Sequence, residues 1–181
     1  MPRKKAPEPV NENNVKTYKK GVPVKLVFKQ ILKEETSHFL STEFDCHCKR
    51  PDCQETLIDE TLIMKLEWIR RSYGVVKINC GFRCRAHNAE VKGSSTNSQH
   101  CLGMAADIVL SKYKPHQIQV ILTDKFVNEQ VGLSVGRYDT FTHVDTRPFP
   151  VIYDKRTEEG RLKLDEEYKE KLLKLKASKK D

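Results

Sequence analysis

The chain predicts an α+β domain, with helices packed on one side of a small antiparallel sheet. Two observations carry this expectation. Apolar residues recur at helical spacing in two stretches, 55–73 and 115–129. Short β-branched or apolar runs lie between and after them without the regular strand–helix alternation of a parallel sheet.

Taken in order, residues 1–21 are rich in Pro, Asn and Lys, show no apolar period and read as a basic disordered arm. Residues 22–41 carry Val24, Leu26, Val27, Phe28, Ile31 and Leu32, which predict a short extended piece followed by a helical turn. A cysteine-bearing loop follows at 44–54. Ile58, Leu62, Leu66 and Ile69 then share one face of a helix over 55–73, stopped by Gly74. Val75 to Asn79 reads as a buried strand, and a polar loop containing Gly93 to Asn97 comes after it. Met104 to Leu110 reads as a core strand with a single carboxylate, Asp107, set into it.

Pro115 opens the second helix, 115–129, with Ile118, Ile121, Leu122 and Phe126 inward. Val131–Val135 and Phe141–Asp145 read as adjacent strands joined around Gly136. Leu164, Tyr168, Leu172 and Leu175 predict a short amphipathic basic helix over 164–177. The domain division is a basic arm at 1–21, a globular domain at 22–155 and a basic tail at 156–181.

The net charge of +8 is unevenly spread. Residues 1–33 carry nine Lys/Arg against two Asp/Glu, and residues 161–181 eight against five, whereas 34–160 carry sixteen against eighteen. The basic extensions can bind a polyanion such as nucleic acid, anionic lipid or anionic cell-wall polymer, and a solvated, solubilising arm is the alternative. Nucleic acid is disfavoured as a partner, because no aromatic platform or nucleic-acid motif accompanies the charge. No apolar run approaches the roughly 20 residues of a membrane span. The start, Met1-Pro2-Arg3-Lys4-Lys5, lacks the apolar core of a signal peptide, so cytoplasmic synthesis is expected. A monomer is expected.

Of six cysteines, Cys46, Cys48 and Cys53 are tightly spaced around His47. Cytoplasmic synthesis argues against disulfides. Such clustering can hold a second, structural zinc with Cys84 as a fourth ligand, and His47 is a weaker candidate. The spacing fits no standard finger, and a set of small buried thiols is the alternative.

Asp107 lies in an apolar run, and an unpartnered carboxylate there is costly to bury. His143 sits in a second apolar stretch, and His100 in a polar loop beside Gly103. Each residue alone could bond a carbonyl or pair with an arginine. Together, one divalent cation satisfies all three, and two imidazoles with one carboxylate leave a zinc coordination position open for catalysis.

These residues belong to a longer pattern: Cys80-Gly81-Phe82-Arg83, His87-Asn88, Gly93, Ser98-x-His100-x-x-Gly103-x-Ala105-x-Asp107 and His143-Val144-Asp145. The pattern, from about Phe39 to Arg147, resembles the zinc D-Ala-D-Ala carboxypeptidase and L-alanyl-D-glutamate endopeptidase family of the Hedgehog/DD-peptidase fold. Glu43-Phe44-x-Cys46-x-Cys48 is similar to the phage and bacterial branch. The resemblance implies a zinc peptidase (an endolysin-like endopeptidase or a carboxypeptidase) that hydrolyses peptidoglycan stem peptides. It implies action on the cell wall, from a host cell or a virion if phage-encoded. It also implies that His100, Asp107 and His143 bind zinc, that Arg83 grips a substrate carboxylate or polarises the scissile carbonyl, and that Ser98 and Gln99 shape the substrate site.

Zinc would activate the attacking water, and a carboxylate would take its proton. Many family members carry an acid three residues before the last histidine, where this chain has Thr140. Asp145, two residues after His143 on the same strand face, is expected as the base or as a group orienting His143. Asp139 is the other candidate base. A departure at this position also admits a non-catalytic wall-binding or virion module on the same fold.

Overall fold

The computed structural model describes residues 14–30, 33–129 and 131–161. The first thirteen residues of the predicted arm, the predicted helix at 164–177 and the side chain of Phe126 lie outside the described residues.

The centre of the fold is a five-stranded sheet of β5 (Val76–Cys80), β6 (Ala105–Leu110), β8 (Thr142–Asp145), β7 (Ser134–Arg137) and β9 (Ile152–Asp154), in that spatial order. Pairing is antiparallel except for β7 with β9. Two antiparallel pairs stand apart from it: β1 (Val15–Lys19) with β4 (Glu55–Asp59), and β2 (Lys25–Gln30) with β3 (Lys33–Leu40).

Side chains alternate along each strand, so each sheet face is read by counting in twos. Val76 and Ile78 of β5, Ala106 and Ile108 of β6, Val135 of β7 and Val144 of β8 share one buried cluster with helical residues. The helical contribution comes from α1 (Glu60–Tyr73), through Leu62, Leu66 and Ile69, and from α3 (Pro115–Glu129), through Ile118 and Leu122. Each such side chain contributes about 1.5–3 kcal/mol on burial. Both long helices thus cover one face of the sheet, as expected, and the other face is left for polar residues.

Several predicted elements are corrected. The helix expected over 55–73 begins only at Glu60, because 55–59 is strand β4. Ile58 shares the core with Leu62 and sits four residues before it, so spacing alone cannot separate a strand end from a first helical turn. Asp59 marks the boundary: its backbone is extended and its carboxylate accepts from Thr61 N at 3.2 Å as the helix N-cap. Within 22–41, Lys25–Gln30 and Lys33–Leu40 pair as β2 and β3 where a short extended piece and a helical turn were expected, and a 3-10 turn follows at Ser41–Phe44; Ile31 and Leu32 lie outside the described residues.

Residues 15–19 of the predicted arm are strand β1, anchored by pairing to β4, by Tyr18 against the core and by a Lys16–Glu60 ion pair. The polar loop after β5 contains a short helix, α2 (Arg85–Glu90), that periodicity did not reveal. Strand β9 and its parallel pairing were also not anticipated. Among the described residues no helix is long and apolar enough to cross a membrane.

Candidate active site and metal centre

The site lies on the sheet face opposite the helices, and register builds it. Cys80 pairs with Asp107, Asp107 with His143, His143 with Gly136, and Gly136 with Tyr153. These five residues form one rung across all five strands. A bulge between Ile78 and Cys80 brings Cys80 onto this face.

His100 reaches the rung from a 3-10 turn, Gln99–Leu102, that leads into β6. The turn is closed by Gly103 in the left-handed region, at φ 70°. A Cβ there would also collide with the backbone of Leu57, so glycine is required both for conformation and for space.

Three ligand atoms converge. His143 Nδ1 is 2.9 Å from Asp107 Oδ1, His100 Nε2 is 3.3 Å from the same oxygen, and the two ring nitrogens are 3.2 Å apart. Tetrahedral zinc with bonds of about 2.0–2.2 Å would hold such atoms about 3.3–3.5 Å apart, so the set fits zinc with an outward adjustment of a few tenths of an ångström.

The outer bonds fix both imidazoles for this role. His100 Nδ1 donates to the Gly81 carbonyl at 2.7 Å, and His143 Nε2 donates to Asp145 Oδ2 at 3.0 Å. The lone pairs of His100 Nε2 and His143 Nδ1 are thereby directed at Asp107. Two lone pairs and a carboxylate facing one another in a buried place demand a cation. Burial disfavours a charged His100, yet its bond to Asp107 prevails and pushes its pKa up to about 10. Burial likewise opposes ionisation of Asp107, but the two histidines hold it well below the usual carboxylate range.

Cys80 was not anticipated here. Its sulfur lies within 4.8 Å of ligand atoms on His100 and Asp107, so these three also form a group that could hold a metal. Cys80 is less well placed than His143 to share an ion with His100 and Asp107: its Sγ stands 3.9 Å from His100 Nδ1, the nitrogen already bonded to Gly81, and receives Arg83 at 3.3 Å.

Arg83 is nearly buried, with its guanidinium 4.0 Å from Asp107 Oδ2. Asn88 holds it from behind: the Asn88 Oδ1 accepts from Arg83 at 3.2 Å, and the Asn88 amide donates to the Ser95 carbonyl at 2.8 Å.

A cleft of about 510 Å³ opens over the rung, lined among others by Arg83, Ser98, Gln99, Tyr138 and Tyr153. Ser98 and Gln99 therefore lie where a substrate would pass. The cleft is cationic, with Arg83, Lys92, Arg147 and Lys155 in its wall. Asp107 is the only carboxylate among its described lining residues.

That composition bears on the two expected bases. Asp145 is fully buried behind His143, where Arg147 donates to both of its oxygens at 2.8 and 2.5 Å. Burial would raise its pKa, but Arg147 and His143 hold it well below the carboxylate range. Asp139 is exposed, and its carboxylate accepts from the Thr157 amide at 3.0 Å. Neither lines the cleft. The sequence distance from His143 suggested both, but strand direction turns Asp145 toward the ring's far nitrogen, and Asp139 turns toward the 157–161 segment.

Cys46, Cys48, Cys53 and Cys84 do come together, with all four sulfurs within 4.8 Å of one another. His47 is exposed and outside this group, whereas His87 contacts Cys46 at 3.3 Å. Cys101 is buried.

The buried His–Asp–His triangle, with Cys80 beside it and a cationic cleft above, is compatible with metal binding. The model of the Peptidase M15 family matches residues 37–145, more than half of the chain, and the chain belongs to this family of zinc metallopeptidases. No curated protein and no solved structure matches it.

Proposed function

We propose that the chain is a peptidoglycan peptidase on a Hedgehog/DD-peptidase-like fold, hydrolysing stem peptides as a D-Ala-D-Ala carboxypeptidase or an L-alanyl-D-glutamate endopeptidase. The observation that carries this reading is the Asp107–His143 pair with His100 above it, opening into a cleft whose wall is cationic. Stem peptides present free carboxylates, and a cleft with four cations and one committed carboxylate is complementary to them.

His100, Asp107 and His143 would hold the zinc, which when bound would supply a Lewis acid for the scissile carbonyl and an attacking water of lowered pKa. The remaining work falls to the chain. Arg83 stands at the β5 end of the rung, suited to grip a carboxylate in two-point fashion or to polarise the carbonyl. Tyr153 stands at the β9 end, its ring centre 5.8 Å from that of His143. Burial, reinforced by Tyr138, pushes the Tyr153 pKa well above its ordinary value, so it stays a neutral phenol. A neutral phenol is a donor, suited to the oxygen on which charge develops. Asp145 acts through His143 as a positioning residue rather than as the base, since both its oxygens are engaged.

Purified, zinc-loaded protein should release new amino groups from peptidoglycan, and a chelator or His143→Ala should abolish the release. Mass spectrometry of the digested muropeptides identifies the bond: loss of a terminal alanine marks a carboxypeptidase, and a freed D-glutamyl amine marks an endopeptidase. No release from several peptidoglycan types would contradict the enzyme reading.

A second reading rests on one observation, the lack of a free carboxylate among the described cleft residues. A wall-binding or virion module that keeps zinc without turnover fits it. That reading requires zinc retention and sedimentation with peptidoglycan without new amino groups. In either case the basic extensions would supply affinity for anionic wall polymer.

A further inference from the structure

We infer that Cys46, Cys48, Cys53 and Cys84 hold a structural zinc ion, and that this metal clamps the segment presenting Arg83 and orienting His100. Three sulfurs come from the loop after the Ser41–Phe44 turn, and the fourth is the N-cap residue of α2, more than thirty positions away. Cys46 and Cys53 are buried, and all four are free thiols. Cys48 Sγ and Cys84 Sγ are 3.7 Å apart. A disulfide needs about 2.05 Å. Four sulfurs around zinc at about 2.3 Å stand about 3.8 Å from one another, which the Cys48–Cys84 pair matches, and all four sulfurs lie within 4.8 Å of one another.

The surroundings support the charge of thiolates. The Cys84 amide donates to Cys46 Sγ and the His87 amide to Cys84 Sγ, each at 3.4 Å. His87 Nδ1 is 3.3 Å from Cys46 Sγ, and Lys20 Nζ is 3.9 Å from Cys48 Sγ while donating to the Cys48 carbonyl at 2.8 Å. Four neutral thiols would need none of these donors, whereas a zinc–tetrathiolate centre with a net charge of −2 uses them all.

The clamp reaches the catalytic centre through four residues. Cys84 follows Arg83, whose amide donates to the His100 carbonyl at 3.1 Å. Phe82 packs against Cys46 and Cys53, and its amide donates to the Phe44 carbonyl at 2.8 Å. Gly81 supplies the carbonyl that sets the His100 tautomer. Zinc at the cysteines therefore closes a loop between residues 46 and 84 around this strip, and stability and positioning follow from the same bond set.

Metal analysis of the full chain and of a His100→Ala/His143→Ala/Cys80→Ala variant tests this apart from catalysis, because the variant lacks the other centre and leaves all four cluster cysteines in place. Two zinc ions per wild-type chain and one per variant are expected. Cobalt loaded into the variant should give the intense sulfur-to-metal charge-transfer absorption of a tetrathiolate site. Cys84→Ser in that background should remove the tetrathiolate spectrum. A folded variant, by circular dichroism, that binds no metal overturns the proposal. So does a cobalt spectrum without thiolate charge transfer, or alkylation and mass spectrometry that find the four cysteines oxidised to disulfides in freshly purified protein.

Discussion

Asp145 accepts the Nε2 proton of His143 at 3.0 Å while both its oxygens are held by Arg147. It therefore dictates which nitrogen of His143 faces Asp107. Asp145→Asn removes the charge that favours this tautomer and weakens the grip of Arg147. Zinc affinity or turnover should fall about 10- to 100-fold. Asp139→Asn, in an exposed carboxylate bonded only to the Thr157 amide among the contacts described, should change either by less than about twofold. Competition with a chromophoric chelator reads the affinity. A larger loss in the Asp139 variant would return that residue to candidacy as the base.

Proton and metal compete for the same atoms. Asp107 raises the pKa of His100 from 6.5 to about 10 in the metal-free chain, so zinc must displace a proton over that range. Apparent zinc affinity should climb about tenfold per pH unit between pH 6.5 and about 10. An ordinary histidine would level off near its usual value, so a plateau by pH 7.5 would refute the coupling.

The same shifts set metal-free stability. The contribution of His100, whose pKa is raised on folding, is fully present below pH 6.5 and lost as pH rises through about 10. Asp107 and Asp145, whose pKa values are lowered, contribute above about pH 3.8 and lose that contribution as pH falls below it. Denaturant unfolding of chelator-treated protein across pH should show both limbs.

Arg83→Lys keeps a positive charge and loses the planar fork. If Arg83 grips a substrate carboxylate, kcat/KM should drop by about 1.5–3 kcal/mol, roughly 10- to 150-fold, with zinc content unchanged. Asn88→Ala should move kcat/KM in the same direction by less, because Cys80 still receives the guanidinium. Steady-state kinetics on a defined stem peptide, beside metal analysis, separate this from loss of the metal site.

Gly136 lies between His143 and Tyr153 on the rung, and a Cβ there would come within 2.5 Å of the Tyr153 ring and hydroxyl. Gly136→Ala should displace Tyr153 and depress kcat while leaving zinc bound. Tyr153→Phe should reproduce the kcat loss if the phenol is the donor. A fully active Tyr153→Phe enzyme would remove Tyr153 from the mechanism.

Much of this site was legible in the chain because it is written in local spacing. Asp107 inside an apolar strand and His143 inside another announced themselves as buried charges in need of a partner, and period-two alternation kept Ala106, Ile108 and Val144 on the core face. Local spacing also misled. Ile58 continued the period of α1 although it ends a strand, and Asp145 shared a strand face with His143 yet bonds the wrong nitrogen for a base. Cys80, though it opens the Cys80-Gly81-Phe82-Arg83 motif, and Tyr153 carried no local sign of their place on the rung, since only a bulge in β5 and a parallel pairing of β9 bring them there.

By itself the sequence determined the residue types able to bind metal, the two amphipathic helices, the strands that carry Asp107 and His143, and the family. Tertiary structure alone decided the register that stacks five strands into one rung, the tautomers of His100 and His143, the withdrawal of Asp145 and Asp139 from the cleft, and the closure of three loop cysteines by Cys84. The physical reason is range. Periodicity and burial propensity act over a few neighbouring residues, whereas register, tautomer and thiol convergence depend on which distant backbone and side-chain groups meet when the core closes.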